Sequence, residues 1–259
     1  LFKALTETPE ISFSVLRKRG FSKSVIDGLI HSGLATMKTV RRFRDSYQTT
    51  PDGAPPTASP PLTPAQTEVL KQLQPAIELR QTKAFLLHGV TGSGKTRVYM
   101  EAAIKAREQD RQVLVLVPEI ALTGQLVKTF QTVFATDIIV IHSRLTVTER
   151  NDAFFRIRRR EAGVIIGARS ALFTPATDIG LIILDEEQDN SYKQDEAPRY
   201  HARVVASALA RYHHAVLLLG SATPSLESFY LTRQGKITLL SLPERVGNRA
   251  LPRMELVDM

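Results

Sequence analysis

No cysteine occurs among the 259 residues, so neither a disulfide framework nor a thiolate zinc site can form within this stretch. That absence fits a reducing, cytoplasmic setting. Long apolar runs are missing as well. The longest, such as Val113 to Val117 and Val216 to Leu219, fall far short of the ~20 residues that span a bilayer, so neither a transmembrane helix nor a membrane partner is expected. The chain also lacks a charged-then-apolar leader and opens on Leu1, which reads as an excised piece of a longer protein. Extremes of composition are absent too: 43% apolar and 23% charged residues are ordinary globular usage and argue against wholesale disorder.

What is present is an excess of positive charge, +8 overall, which suits a polyanionic partner or simple solubility. Its distribution says more. Residues 1 to 48 hold nine Lys/Arg against four Asp/Glu, a net of +5, leaving +3 for the other 211 residues. The clearest boundary follows at Thr49 to Pro61, where five of thirteen residues are proline; this reads as a semi-extended linker.

Before the linker, Phe13, Val15 and Leu16 mark a short helix closed near Gly20. Ser22 is placed to cap a second helix carrying Val25, Ile26, Leu29 and Ile30 and ending at Gly33. The β-prone, basic LATMKTVRRFRD comes next. Two helices and a basic ribbon suggest a winged helix over residues 1–48, with Lys23 and Ser24 facing a groove and Arg41, Arg42 and Arg44 a phosphate backbone. A small packing module with solvated charges fits the same pattern.

After the linker, a helix from Leu62 to Leu79, started by Thr63 and Pro64, opens an alternation of amphipathic segments with short apolar runs. The strand candidates are Phe85–Leu87, Val113–Val117, Ile138–Ile141, Val164–Ile166, Leu181–Leu184 and Val216–Leu219. This pattern predicts an α/β fold, a parallel sheet with helices on both faces.

Three motifs on that sheet carry chemistry. Gly89, Val90, Thr91, Gly92, Ser93, Gly94, Lys95 and Thr96 spell a full phosphate-loop pattern between a buried strand and a helix. Its glycines let backbone N–H groups surround phosphate oxygens, Lys95 reaches the β- and γ-phosphates of ATP, and Thr96 can sit on Mg²⁺. In LIILDEEQD, Asp185 ends an apolar strand and is placed to hold Mg²⁺, while Glu186 is placed to polarise the attacking water. The third is GSATPSLES. Its Ser221 and Thr223 could equally cap a helix with Pro224 at the first helical position.

The order GKT, DEEQ, SAT is that of superfamily 2 helicases. The stretches GVTGSGKTRVYM, VLVLVPEIALTGQ, IHSRLT, GARSALFTP, LIILDEEQDNSYKQDEAPRYHARVVA, LGSATPSLES and LPRMELVDM resemble the bacterial primosomal replication-restart helicases over about Leu62 to Met259. That resemblance implies a RecA-like, ATP-binding first motor lobe at 62–243 and, at 244–259, a connection toward a second lobe. It also implies ATP-dependent 3′-to-5′ unwinding of forked and single-stranded DNA, with single-stranded-DNA-binding protein and other primosome proteins as partners. Zinc belongs to a cysteine-rich insertion of that family which this stretch does not contain.

Residue by residue, the resemblance implies that Gln188 and the Ser221/Thr223 segment couple the motifs. Many members have His where Gln188 stands, and many have Asp where Val204 stands. Pro118, Glu119, Thr123 and Arg169 match segments lying along single-stranded DNA. Tyr192, Lys193, Arg199, Tyr200 and His201 match a DNA-sensing aromatic-rich loop whose rings can stack on bases. Gln66 has two readings: an adenine reader, or the third helical residue of the Thr63 capping box. Arg156 to Arg160 read as the wet face of a helix over Thr148–Glu161. His142, His213 and His214 have no ligand set at metal spacing.

Overall fold

A computed structural model describes residues 11, 13–37, 61–123 and 125–247. The chain divides into two compact units, Leu1–Arg42 and Phe43–Met259. In the first, α1 (Phe13–Lys18) and α2 (Lys23–His31) follow the expected pattern. The Ser22 side chain caps α2 by accepting from the Val25 N–H, and Gly33 takes φ 70° just past its end. Leu16 and Ile26 supply the buried contacts, whereas Val25 is half exposed. Arg41, Arg42, Arg44 and the ribbon that would complete a winged helix lie outside the described residues.

In the second unit the elements run α3 (Pro64–Glu78), β1 (Lys83–Gly89), α4 (Lys95–Glu108), β2 (Gln112–Leu116), α5 (Gln125–Phe134), β3 (Ile138–Ile141), α6 (Val147–Arg158), β4 (Val164–Gly167), β5 (Ile179–Leu184), β6 (Lys193–Gln194), β7 (Tyr200–His201), α7 (Ala202–Tyr212), β8 (Val216–Ser221), α8 (Leu226–Arg233) and β9 (Thr238–Leu242). Seven strands form one sheet in the order β3-β4-β2-β5-β8-β1-β9, every neighbouring pair parallel. The six apolar runs are six of these strands. Along β2, Val113 and Val115 face a core shared with α3, α4 and α5, while Leu114 and Leu116 face one shared with α6 and α7. Burial on both faces is why the strands read as continuous apolar runs instead of alternating ones.

Local chemistry sets the helix starts. Thr63 and Gln66 form a reciprocal capping box ahead of α3, and Thr146 and Glu149 do the same for α6, which starts one residue earlier than the sequence pattern placed it. Helix α8 is capped by Ser225, which accepts from the Ser228 N–H, so Pro224 lies before the cap and Ser221 and Thr223 are freed from capping. The wet face expected over Arg156 to Arg160 is met only in part: α6 ends at Arg158, Ile157 is buried and Arg156 half-buried, while Arg158, Arg159 and Arg160 are exposed and Arg160 pairs with Asp110. At the strands' N-terminal edge the buried Arg111 donates to Asp178 (2.9 Å) and to the His214 carbonyl (3.1 Å), tying strand ends together. Every motif with chemistry sits at the opposite, C-terminal edge, where open parallel sheets present ligand sites. Among the described residues, no helix is long and apolar enough to cross a membrane.

Candidate functional site

Because β8 lies between β5 and β1 in the sheet, the end of β8 is interposed between the phosphate loop after β1 and the acidic turn after β5. A cavity of about 590 Å³ joins them, bordered by Gln66, Val90 to Arg97, Asp185 and Glu186. The N–H groups of Thr91, Gly92, Gly94, Lys95 and Thr96 have no acceptor among the described residues, and the buried Ser93 hydroxyl has no partner. Gly94 takes φ 82°, and a Cβ there would stand 2.3 Å from Gln66 Nε2, so only glycine fits. A ring of unspent donors at a helix start is what a triphosphate requires, and the residues fit ATP.

Lys95 does not project into open space. Its side chain is 10% exposed, with Nζ donating to the Gly89 carbonyl at 3.0 Å and standing 3.8 Å from Glu186 Oε1. Asp185 is held from two sides by fully buried tyrosines: Tyr99 donates to its Oδ1 (2.9 Å) and Tyr192 to its carbonyl (2.7 Å). Gly220 makes room for the first, since a Cβ there would fall 1.7 Å from the Tyr99 hydroxyl oxygen. Burial pushes the Asp185 carboxyl above the ordinary carboxylate range; Glu186 adds to this, and the Tyr99 hydroxyl and Lys95 oppose it. A nearby divalent cation would reverse that balance, and Thr96 and Asp185 both border the cavity where one would sit.

Glu186 sits at φ 47°, a left-handed conformation that costs a non-glycine residue roughly 1–3 kcal/mol. The turn is held by Glu187 N–H on the Gly220 carbonyl (3.0 Å) and Asp189 N–H on the Glu186 carbonyl (2.8 Å). Gln188 bridges the motifs. Its Nε2 donates to Glu186 Oε2 (3.0 Å), its Oε1 accepts from the Ser221 hydroxyl (2.6 Å), and Ser221 Oγ in turn accepts from the Thr223 N–H (2.9 Å).

A second groove of about 640 Å³ lies over the ends of β2, β4 and β5, bordered by Glu119, Arg169, Phe173, Ser191, Gln194 and Tyr200 among others. Arg169 donates to the carbonyls of Ser191 (3.0 Å) and Lys193 and lies over the Tyr200 ring, against which Phe173 packs edge-on. Lys193 and Arg199 are exposed, Tyr200 and His201 are half-buried, and Pro118 is buried beneath the turn that Glu119 opens. The Thr123 side chain lies outside the described residues. His201 Nδ1 accepts from the Arg203 N–H and caps α7, and burial lowers its pKa.

A family model described as DEAD/DEAH box helicase matches residues 63–230. The chain belongs to the DEAD/DEAH box helicase family. Within that family it is 42% identical over 244 residues to the replication restart protein PriA of Bacillus subtilis, a match taking in 94% of this chain and 30% of that protein. The corresponding PriA of Synechocystis is 41% identical over 243 residues, covering 92% of this chain and 28% of that protein. That of Haemophilus influenzae is 43% identical over 205 residues, covering 77% and 28%. This helicase chain thus spans less than a third of these relatives' length. In fold it is similar to RecG bound to a three-way DNA junction, with a TM-score of 0.56 at 18% identity over 96% of this chain and 30% of that one.

One expectation is overturned. Tyr192 cannot stack on a base where it stands: it is fully buried beneath the sheet, and its hydroxyl is spent on Asp185. The 3₁₀ turn Asn190–Tyr192 tucks it under the loop. Gln66 fulfils the capping box and also donates Nε2 to the Ser93 carbonyl at 3.2 Å; one N–H and one lone pair remain on a side chain only 3% exposed. Sequence patterns passed over a buried knot. Glu187, with no exposed surface, accepts from Arg203 (2.8 Å), the Ser225 N–H (2.8 Å) and the Ser228 hydroxyl (2.8 Å), fastening the acidic turn to α7 and α8. They also passed over the stretch after β9, where Val90 N–H donates to the Leu242 carbonyl and Val246 N–H to that of Gly92. The expected connection at 244–259 therefore begins as a brace on the phosphate loop. Val204 is exposed on α7, and nothing in the structure explains it.

Proposed function

We propose that the chain is the DNA-binding winged helix (1–48), linker (49–61) and first motor lobe (62–243) of an ATP-dependent DNA helicase. Its work would be to move 3′ to 5′ and remodel stalled or collapsed forks so that replication restarts. The observation that carries this is the single cavity joining the phosphate loop to Asp185 and Glu186, with Gln188 linking Glu186 to Ser221. The similarity to replication restart proteins over 94% of the chain supplies the polymer and the context.

In this assignment Lys95 and the loop N–H groups bind the triphosphate of ATP, Thr96 and Asp185 hold Mg²⁺, and Glu186 orients the attacking water. Bound Mg²⁺ supplies charge that neutralises the phosphate oxygens. Gln188 passes any shift of Ser221 to Glu186. Glu119, Arg169, Lys193, Arg199 and Tyr200 line or flank a path for single-stranded DNA, and single-stranded-DNA-binding protein and other primosome proteins are the proposed partners. The test is strand separation by a full-length protein carrying this lobe. Unwinding of 3′-tailed DNA forks, with little on 5′-tailed or RNA forks, is expected; preference for RNA would overturn the assignment.

Two further outcomes follow from the geometry. In that full-length protein, Lys95→Ala is expected to cut ATP turnover by about 10²–10³, the usual effect of removing one donor aimed at developing charge. Its melting temperature should move by only a few degrees, since the side chain contributes one hydrogen bond, to Gly89. Turnover within tenfold of the parent would count against the role. Removing Leu1 to Tyr47 is expected to weaken duplex DNA binding and flatten its salt dependence by up to about 4–5 in log–log slope, because that segment carries five of the eight net charges. An unchanged slope would assign those charges to solubility.

A further inference from the structure

The nucleotide cavity extends past the phosphate loop to a flank made by Arg97, Met100, Gln125, Leu126 and Thr129. Arg97 stands out there. It lies in the first turn of α4, where the helix dipole favours anions over cations, and that turn carries no acidic residue. One guanidinium nitrogen is tied to Glu101 at 2.8 Å, one turn along the helix, which fixes the plane of the group. Its Nε is buried with no acceptor among the described residues. Yet the side chain as a whole is 24% exposed and borders the cavity. With one edge held by Glu101 and Nε turned inward, what Arg97 offers a ligand is chiefly its flat face.

We propose that Arg97 is the shelf on which the purine base of the bound nucleotide stacks. The inference rests on the nucleotide assignment of this cavity and adds the base contact to it. A guanidinium plane stacks on aromatic rings, whereas a lysine ammonium has no plane to offer. Arg97 and Lys95 project from different faces of the helix but border the same cavity, so a nucleoside that runs from the phosphate end toward this flank comes within reach of the guanidinium. Met100 and Leu126 add apolar floor, and Gln125 and Thr129 bring polar groups to the same flank. On the other flank half of the Gln66 amide is already engaged by Thr63 and Ser93, and an amide edge offers hydrogen bonds, not a stacking plane, so the shelf is left to the Arg97 side.

The test is calorimetric titration of the 259-residue chain with MgATP, MgCTP and inorganic tripolyphosphate. Arg97→Ala should weaken ATP about tenfold, remove the preference for ATP over CTP, and leave tripolyphosphate within about twofold of the parent. Arg97→Lys should fail to restore ATP affinity. Glu101→Gln, which keeps the arginine but frees its plane, should weaken ATP to a smaller degree, and retained tripolyphosphate binding reports that the variants are folded. ATP affinity unchanged in Arg97→Ala would overturn the proposal, and so would equal losses for ATP and tripolyphosphate, which would make Arg97 a phosphate cation. Lys95→Ala, which should lose both ligands, tests the phosphate end separately; a parent that binds neither ligand would overturn the site assignment itself.

Discussion

ATP turnover by this 259-residue chain is expected to run roughly 10³–10⁵-fold slower than that of a full-length protein carrying this lobe, with DNA in excess in both assays. Phosphoryl transfer needs positive charge against the oxygens of the transferring group, and in two-lobed motors an arginine from the second lobe supplies it. Among the described residues two cations border the cavity. Lys95 is drawn onto the Gly89 carbonyl and Glu186, and Arg97 is tied to Glu101. Neither is placed as a mobile finger. The loop, the acidic turn and the Gln188 bridge can therefore bind and orient without completing the reaction. Comparable rates from the short chain would mean that the finger lies within it or comes from a second copy, and the division into lobes would be wrong.

The second large effect concerns folding. Arg203→Ala is expected to destabilise the second unit by about 3–5 kcal/mol, because it strips a fully buried carboxylate, Glu187, of its cation. Glu187 would keep its bonds from Ser225 and Ser228, which hold it in place but leave the charge unneutralised. At the usual conversion for a unit of this size the loss corresponds to roughly 6–20 °C in melting temperature. The double variant Glu187→Gln with Arg203→Met should recover part of it, since the desolvation of both charges is then removed. A loss under about 1 kcal/mol in Arg203→Ala would show that water reaches the pair.

How much of this was legible in the chain depended on how local the determining interactions are. Six strands were visible because burial on both faces makes them unbroken apolar runs. β9 was not: Thr238, Leu239 and Ser241 are partly exposed at the sheet's edge, which dilutes the pattern. β6 and β7 have two residues each, too few for any periodicity. The phosphate loop and Asp185 were legible because glycines, lysine and a strand-ending carboxylate are contiguous in sequence. Glu187 carries no sequence signal that sets it apart from its acidic neighbours; its burial is decided by Arg203, Ser225 and Ser228, sixteen to forty-one residues away. Tyr192 was misjudged for the same reason in reverse. Its neighbours in SYKQDEAPRY are polar, yet its ring belongs to the core beneath the sheet. Gln66 satisfied its capping pattern while its amide also reached the phosphate loop, a contact visible only once α3 is placed beside that loop.

Amide hydrogen exchange on this chain, with and without MgATP, tests the central assignment most directly. The N–H groups of Thr91, Gly92, Gly94, Lys95 and Thr96 have no acceptor among the described residues, so they should exchange quickly in the free chain and slow markedly when phosphate oxygens occupy them. A smaller slowing is expected across Asp185 to Gln188. Protection confined to other segments, or none at saturating nucleotide, would contradict the account.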